Sequence, residues 1–548
     1  MNEVTLSLTL AANQPVADTD TTIQATSGPE TSTVMLHIHI VAGGINSFTP
    51  HSGFAPQSLR EGTEVFIQGA GFCADSQVGF GTGQKEPQLL ATATPMSISE
   101  DGRELHVKVP RLATDGPLTV ITPGGAQYVS QDTFTVHSYR NTNGFKFENY
   151  SYGGCNFDDV VELYGNDQTH IFFGLIPDPF ALAYTAIVSE VLKNHESCHG
   201  ISLTSQRLLH GDQPFSAFTP PGATTIWQLN GTPGPDPNLA HYIHVIHIAQ
   251  FSAEFIKFYL ARAAGNLTAS INDIKSQVHA ALSAGDHSLV AIRRPLTDGF
   301  HGHVTVAYDI EEGTPAQDDF YIRLYDPNTQ FLHISPALDE NNDNRSHAAR
   351  EQNSRIHVAP DRSWSFPTFN WSGGLESLIV VPYSVTPLHP TIPTSPSGLL
   401  TLVFGDGSQT TQIADAQGHT LFRPDGTLNT DPTTSLPLAA PFPPLDSTGP
   451  AHDLYALGGD GPYTHTVRVA GSNGYHYMLL GSNFAARVEN PTATQGSEDA
   501  LIMDWQAAHL QFRTNEAKRD VKTHLLARVP EGDVRIATFS TSLWCEMA

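Results

Sequence analysis

The spacing of apolar positions divides the chain into stretches of different period. From 1 to 42 the apolar residues alternate, first at Val4, Leu6, Leu8 and Leu10 and again in VMLHIHIV. That two-residue period predicts an N-terminal arm or extra strands. From 43 to 140 the runs TEVFIQGAGF, ELHVKVP, GPLTVITPGG and DTFTV keep the period, with Gly and Pro turns between them. Short strands at regular spacing predict a β-sandwich.

The texture changes over 143–388. PFALAYTAIVSEVLKN, ISLTSQRLLH and HYIHVIHIAQFSAEFIKFYLARAAG carry helical spacing. The last predicts one long helix with Ile243, Ile246, Phe251, Phe255, Phe258 and Tyr259 toward a core and His241, His244 and His247 as a polar stripe beside them. Strand runs follow in HSLVAIRR, GHVTVAYDI, FYIRLYDPN and SLIVVPYSV. Helices first and strands afterwards predict an α+β domain. The Pro/Ser/Thr-rich stretch TPLHPTIPTSPSG reads as a linker over 389–398, and 399–548 as a C-terminal β-rich domain, a second sandwich.

Composition narrows the function classes. A chain of 548 residues is long enough for about three domains. Only 15% of residues are charged, yet 55 are acidic against 28 basic, a net charge of -27. Such a surface repels phosphate backbones and anionic lipid, which argues against nucleic acid as a partner. No apolar run is long enough for a membrane span, so membrane insertion is not expected. The four cysteines, Cys73, Cys155, Cys198 and Cys545, are too few and too scattered for a disulfide framework. The N-terminus has no basic region of the kind a signal peptide opens with. The charge nevertheless suits an extracellular or cell-surface protein, with a cytoplasmic location as the alternative.

The window NHESCHGISLTSQRLLHG carries the chemistry. Cys198 stands just ahead of an amphipathic helix, where the helix dipole and the first N–H groups favour thiolate over thiol. A thiolate nucleophile needs an imidazole beside it and a third group to orient that imidazole. DGFHGHVTVAYDI puts His303 at the start of a strand, and FYIRLYDPN puts Asp326 at the end of the next. If those strands are adjacent and antiparallel, the two side chains meet at one sheet edge. His301 is the fallback base.

Two stretches resemble known families. The 43–140 segment is similar to the IPT/TIG immunoglobulin-like domain, in INSFTPHSG, GTEVFIQGAGF and the closing hairpin DGPLTVITPGG. That resemblance implies a spacer or binding module. The 143–388 segment resembles bacterial papain-like cysteine peptidases in SCHGIS, GHVTVAY, YDPN, the opening FENYSYGG and the closing WSGGLESLIVVPYS. It implies Cys198 as nucleophile, His303 as base and Asp326 as orienter, a protein or peptide substrate, and no cofactor. The chain departs from that pattern in Ile201, in His199, and in Leu192, which stands where the oxyanion glutamine is expected. Asn194 is the nearest amide for that role, and His199, His301 and Asn328 are candidates for the cleft wall. The outer domains are expected to meet a surface or a protein partner.

Two rival readings use the same residues. His195-Glu196-Ser197-Cys198-His199 fits H-E-x-x-H, which on one helix would let His195 and His199 bind Zn²⁺ in a metallopeptidase. The other is a catalytically silent adhesion or surface-assembly protein that keeps the papain-like fold. DENNDN (339–344) reads as a solvated loop by default, since it lacks the glycine and glutamate of a calcium loop.

Overall fold

The computed structural model describes residues 17–27, 30–40, 42–56, 61–81, 91–111, 113, 115–137, 139–229, 236–294, 301–313, 318–328, 354–367, 370–394, 400–442, 445, 453–458, 462–470, 474–504, 509–515, 518–528 and 534–543. The protein is β-rich and multidomain. It divides into two compact units, Met1–Ser138 with Leu338–Ala349, and Tyr139–Ala337 with Arg350–Ala548.

In the first unit, Ala17–Ser27 and Glu30–Ile40 form an antiparallel hairpin; the alternating run at Val4 to Leu10 lies outside the described residues. Two sheets follow. One is ordered Ser52–Phe54, Gln127–His137, Gly116–Ile121, Gln77–Phe80, Ala91–Ala93. The other is ordered Gly44–Thr49, Glu64–Ala70, Glu104–Lys108, Ser97–Ile98. Alternation decides which side chains face inward. Val65, Ile67, Leu105 and Val107 from one sheet share a core with Val78, Phe80, Leu118 and Val120 from the other, while Phe66 points out.

The second unit opens with helices whose starts are written locally. Asn156 and Asp159 close a capping box on Phe157–Tyr164, and Asp178 caps Pro179–Leu192 with proline in the first turn. The run expected as one long helix is two. Pro237–Ile248 passes through a 3-10 turn at Ala249–Phe251, and Ser252 adopts an extended ψ and caps Ala253–Asn266. A serine whose oxygen takes the N–H of Phe255 competes with helix continuation, and here it wins. The histidine stripe is also corrected. His244 and His247 are buried, and only His241 is well exposed, beside Glu162.

Helices pack on a seven-stranded antiparallel sheet ordered Trp371–Gly374, Ser363–Phe366, Arg355–Val358, Phe320–Tyr325, Gly302–Glu312, Leu289–Arg293, Leu378–Val381. Beyond it lie a second seven-stranded sheet and a four-stranded one, the latter ordered Ser408–Asp415, Tyr463–Val469, Glu498–Asp504, His509–Thr514.

The described part of the stretch read as a linker, 389–394, is packed. Ile392 is buried, its N–H donates to Gln168 Oε1 at 2.9 Å, and the Thr391 N–H donates to Glu254 Oε2 at 2.9 Å. One hydrophobic cluster runs from Phe251, Phe255 and Tyr259 of the helices to Val403, Phe442 and Tyr477 of the C-terminal strands. The segments 143–388 and 399–548 therefore share a core. Periodicity shows which face of an element is apolar but not which element covers it.

Candidate active site

Cys198 is the first residue of the Cys198–Leu209 helix, which is buried along nearly its whole length. The preceding loop is fixed from Asn149 and Tyr150. Ser197 N donates to Asn149 Oδ1 at 2.9 Å and to the Tyr150 carbonyl at 3.0 Å. Gly200 lets the neighbouring helix approach. A Cβ there would sit 2.3 Å from the Ile243 carbonyl oxygen. One turn beyond Cys198, Ser202 Oγ donates to the Val304 carbonyl at 3.2 Å, fastening the helix to the strand that carries His303. Residues four apart share a helix face, so Cys198 is on the side turned to that strand.

The two strands are adjacent and antiparallel, with Val306 opposite Tyr325. His303 Nε2 lies 2.8 Å from Asp326 Oδ1, and both side chains are fully buried. Asp-Pro-Asn makes an Asx turn in which Asn328 N donates to Asp326 Oδ1 at 2.9 Å. The same carboxylate oxygen thus serves the turn and the ring. Trp371 covers the imidazole edge to face, with centroids 6.3 Å apart, and Arg294 lies over that indole at 5.5 Å.

A polar network joins the two halves. Asn149 Nδ2 donates to Asn328 Oδ1 at 2.7 Å and to Glu196 Oε2 at 3.0 Å, and Asn328 Nδ2 donates to Glu196 Oε2 at 3.0 Å. On its other side the thiol meets the C-terminal domain. Cys198 Sγ lies 2.5 Å from the Leu445 carbonyl oxygen, and Leu445 N donates to Gln250 Oε1 at 2.8 Å.

The remaining candidates are dispersed. His199 is fully buried between Phe255 and His247, and burial, with the charge of Arg207 behind it, pushes its pKa down to about 3. It belongs to the core rather than a cleft wall. His301 precedes the Gly302–Glu312 strand and is half-buried; burial first, then Arg294 and His195, lowers its pKa. Asn194 is exposed in the turn before His195, and Leu192 is in the core. Asn328 lies beside Asp326 as a member of the network. His195 is in the loop ahead of the helix, so His195 and His199 do not share a helical face as H-E-x-x-H requires. Among the described residues no group of three or more His, Cys, Asp or Glu is placed to hold a metal ion. DENNDN lies outside the described residues.

Sequence reasoning missed three residues. Asn149 sits inside the quoted FENYSYGG stretch, but its role depends on contacts with Ser197 and Asn328, distant in sequence. Glu196 enters the sequence reading only as the second residue of the H-E-x-x-H pattern. Gln250 gave no signal, because it reads as one more position of an unbroken helix. No protein-family model matches the chain, and no curated protein or solved structure matches it either.

Proposed function

We propose that the second unit is a papain-like cysteine peptidase working through Cys198, His303 and Asp326. The supporting observation is the buried His303–Asp326 pair at 2.8 Å, on the strand to which Ser202 ties the nucleophile's helix. An ionised Asp326 accepts from Nε2–H, which makes Nδ1 the basic nitrogen of the ring. In this reading Nδ1 takes the Cys198 proton and the thiolate adds to a peptide carbonyl carbon. The imidazolium then gives that proton to the leaving amine as the C–N bond breaks. Water, deprotonated by the same nitrogen, cleaves the thioester and restores the thiol. Transfer to an amine in place of water runs through the same thioester. The start of the Cys198 helix supplies the dipole that favours both thiolate and oxyanion.

The first sandwich, through its resemblance to the IPT/TIG domain, is proposed as a spacer or binding module. Protein or peptide substrates, met outside the cell or at its surface, fit the acidic composition. Among the described residues no helix is long and apolar enough to cross a membrane.

The test is turnover of a fluorogenic peptide library by the full chain, with Cys198→Ala as control and a chelator in a parallel arm. Turnover lost in the alanine variant and kept with chelator is expected. Turnover that survives Cys198→Ala, or that a chelator abolishes, removes the proposal.

A further inference from the structure

We propose that the C-terminal domain occupies the peptide-binding face of Cys198 with its own residues Phe442 and Leu445, and that this marks a subsite for an extended peptide bearing an aromatic side chain. The inference rests on the peptidase reading above and deepens it.

Leu445 closes off the thiol with its own backbone. Its carbonyl oxygen lies 2.5 Å from Cys198 Sγ, and its N–H donates to Gln250 Oε1 at 2.8 Å. The two backbone polar groups of one residue are thus taken by the nucleophile and by a fully buried amide. Gln250 is itself fixed, since its Nε2 donates to the His247 carbonyl at 2.9 Å.

Phe442, three residues earlier, fills an aromatic pocket. Its ring meets Phe251, Phe255 and Tyr259 edge to face, at centroid distances of 6.0, 6.4 and 5.0 Å. Phe442 N donates to the Leu454 carbonyl at 2.8 Å, so the aromatic anchor hangs from the C-terminal sheet. Edge-to-face packing of this kind selects an aromatic ring over an aliphatic chain. Cys198, Phe442 and Leu445 have almost no exposed surface.

A substrate reaches the thiol only when these anchors leave. A peptide able to displace them offers a backbone N–H to Gln250 Oε1 and, three residues earlier, an aromatic side chain in the place of Phe442. The protein at rest is therefore latent, and reagents meet Cys198 through transient opening.

The experiment measures the rate of Cys198 alkylation by iodoacetamide in the folded full chain, peptide by peptide in a mass spectrometer. Exposed Cys73 is the internal reference. In the wild type Cys198 is expected to react at least about a hundredfold more slowly than Cys73. Phe442→Ala is expected to raise that rate about tenfold or more, with peptide turnover rising alongside. A synthetic Ala-Ala-Pro-Phe-Pro-Pro-Leu peptide is expected to restore protection in the variant, and the same peptide with Phe replaced by Leu is not. If Phe442→Ala fails to fold, Phe442→Leu gives the same comparison with the ring volume largely kept. Wild-type Cys198 reacting as fast as Cys73, or a folded variant with an unchanged rate, overturns the inference and leaves the peptidase reading standing. A variant with a freed Cys198 and no turnover of any library peptide supports the occupied face and removes the peptidase reading instead.

Discussion

Asn149 and Asn328 are joined by a 2.7 Å hydrogen bond that closes the network between the loop before Cys198 and the turn after Asp326. Asn149 also accepts the Ser197 N–H, so one side chain ties the start of the Cys198 helix to the turn that carries Asp326. Asn149→Ala breaks four half-buried hydrogen bonds, to Glu196, Asn328, Tyr150 N and Ser197 N, and leaves Glu196 and Asn328 short of a donor. A destabilisation of about 2–3 kcal/mol is expected, together with a larger fall in kcat than in KM. Asn149→Asp keeps the acceptor for Ser197 N–H but sets a carboxylate beside Glu196. Thermal melts and steady-state kinetics of both variants check this. Unchanged kinetics in a folded alanine variant would show that the network does not position the site.

The bases are separable by mutation. His303→Ala is expected to cost about a thousandfold or more in kcat/KM, and Asp326→Ala somewhat less, as for the members of the proposed triad. His301, ahead of the strand and half-buried, is expected to cost far less. The measurement is kcat/KM for each variant after its fold is checked by melting. A His301 variant as inactive as Cys198→Ala, beside an active His303 variant, reverses the assignment.

Acid is expected to destabilise the second unit steeply. Burial holds His199 near 3, His287 near 4 and His465 near 3, and drives His247 well below its ordinary value. Each is neutral in the native state and, when unfolded, takes up a proton near pH 6.5. Protons then bind preferentially to the unfolded chain, so stability is fully present above pH 6.5 and falls as pH drops toward 3–4. Each such histidine removes about 1.4 kcal/mol per pH unit in that window. Urea midpoints from pH 7.5 to 4.5 check the slope, and a flat profile would contradict the buried neutral state.

The positions of the candidate residues were readable because the local structure around each is written in nearby sequence. The start of the Cys198 helix, His303 at a strand start and Asp326 in the YDPN turn each carry a short-range signature of dipole, alternation or Asx geometry. What could not be read is non-local. Ser252 ends a helix that periodicity alone continues, and Gln250 reaches Leu445 only through that break. The Pro-rich stretch around Ile392 has a linker's composition, yet Gln168 and Glu254 bond its backbone. His244 and His247 read as a polar stripe because nothing in their spacing reveals Tyr152, Asp159 or Gly200 packed against them.

The shared core makes a cut at 388 damaging. A fragment of 143–388 loses Phe442 from its contacts with Phe251, Phe255 and Tyr259, and loses the cover over Cys198. Several large apolar side chains would then face water, and burying one such side chain is worth about 1.5–3 kcal/mol. The fragment is expected to aggregate, whereas 139–548 is expected to stay soluble and melt in a single transition. Size-exclusion chromatography and calorimetry of the two fragments decide it. A soluble 143–388 fragment with a sharp melt would show that this segment folds on its own.

Gly200→Ala sets two known magnitudes against each other. Alanine is the better helix former by about 1 kcal/mol, which favours the substitution in an isolated helix. Against it, the new methyl would lie 2.3 Å from the Ile243 carbonyl oxygen and 2.9 Å from His247 Cβ. The nearest of these atoms is backbone, so relief requires the Pro237–Ile248 helix to move away from the Cys198–Leu209 helix. That shift would stretch the 3.1 Å bond from Gly200 N to His247 Nδ1 and disturb Gln250, which His247 supports. Overpacking of this kind costs about 1–3 kcal/mol, so after the gain in propensity the net effect is expected to be destabilising by up to about 2 kcal/mol. Cys198 alkylation is expected to quicken in the same variant, because Gln250 is one of the two groups that hold Leu445 over the thiol. A Gly200→Ala protein as stable as the wild type, with an unchanged alkylation rate, would mean that the two helices do not approach this closely.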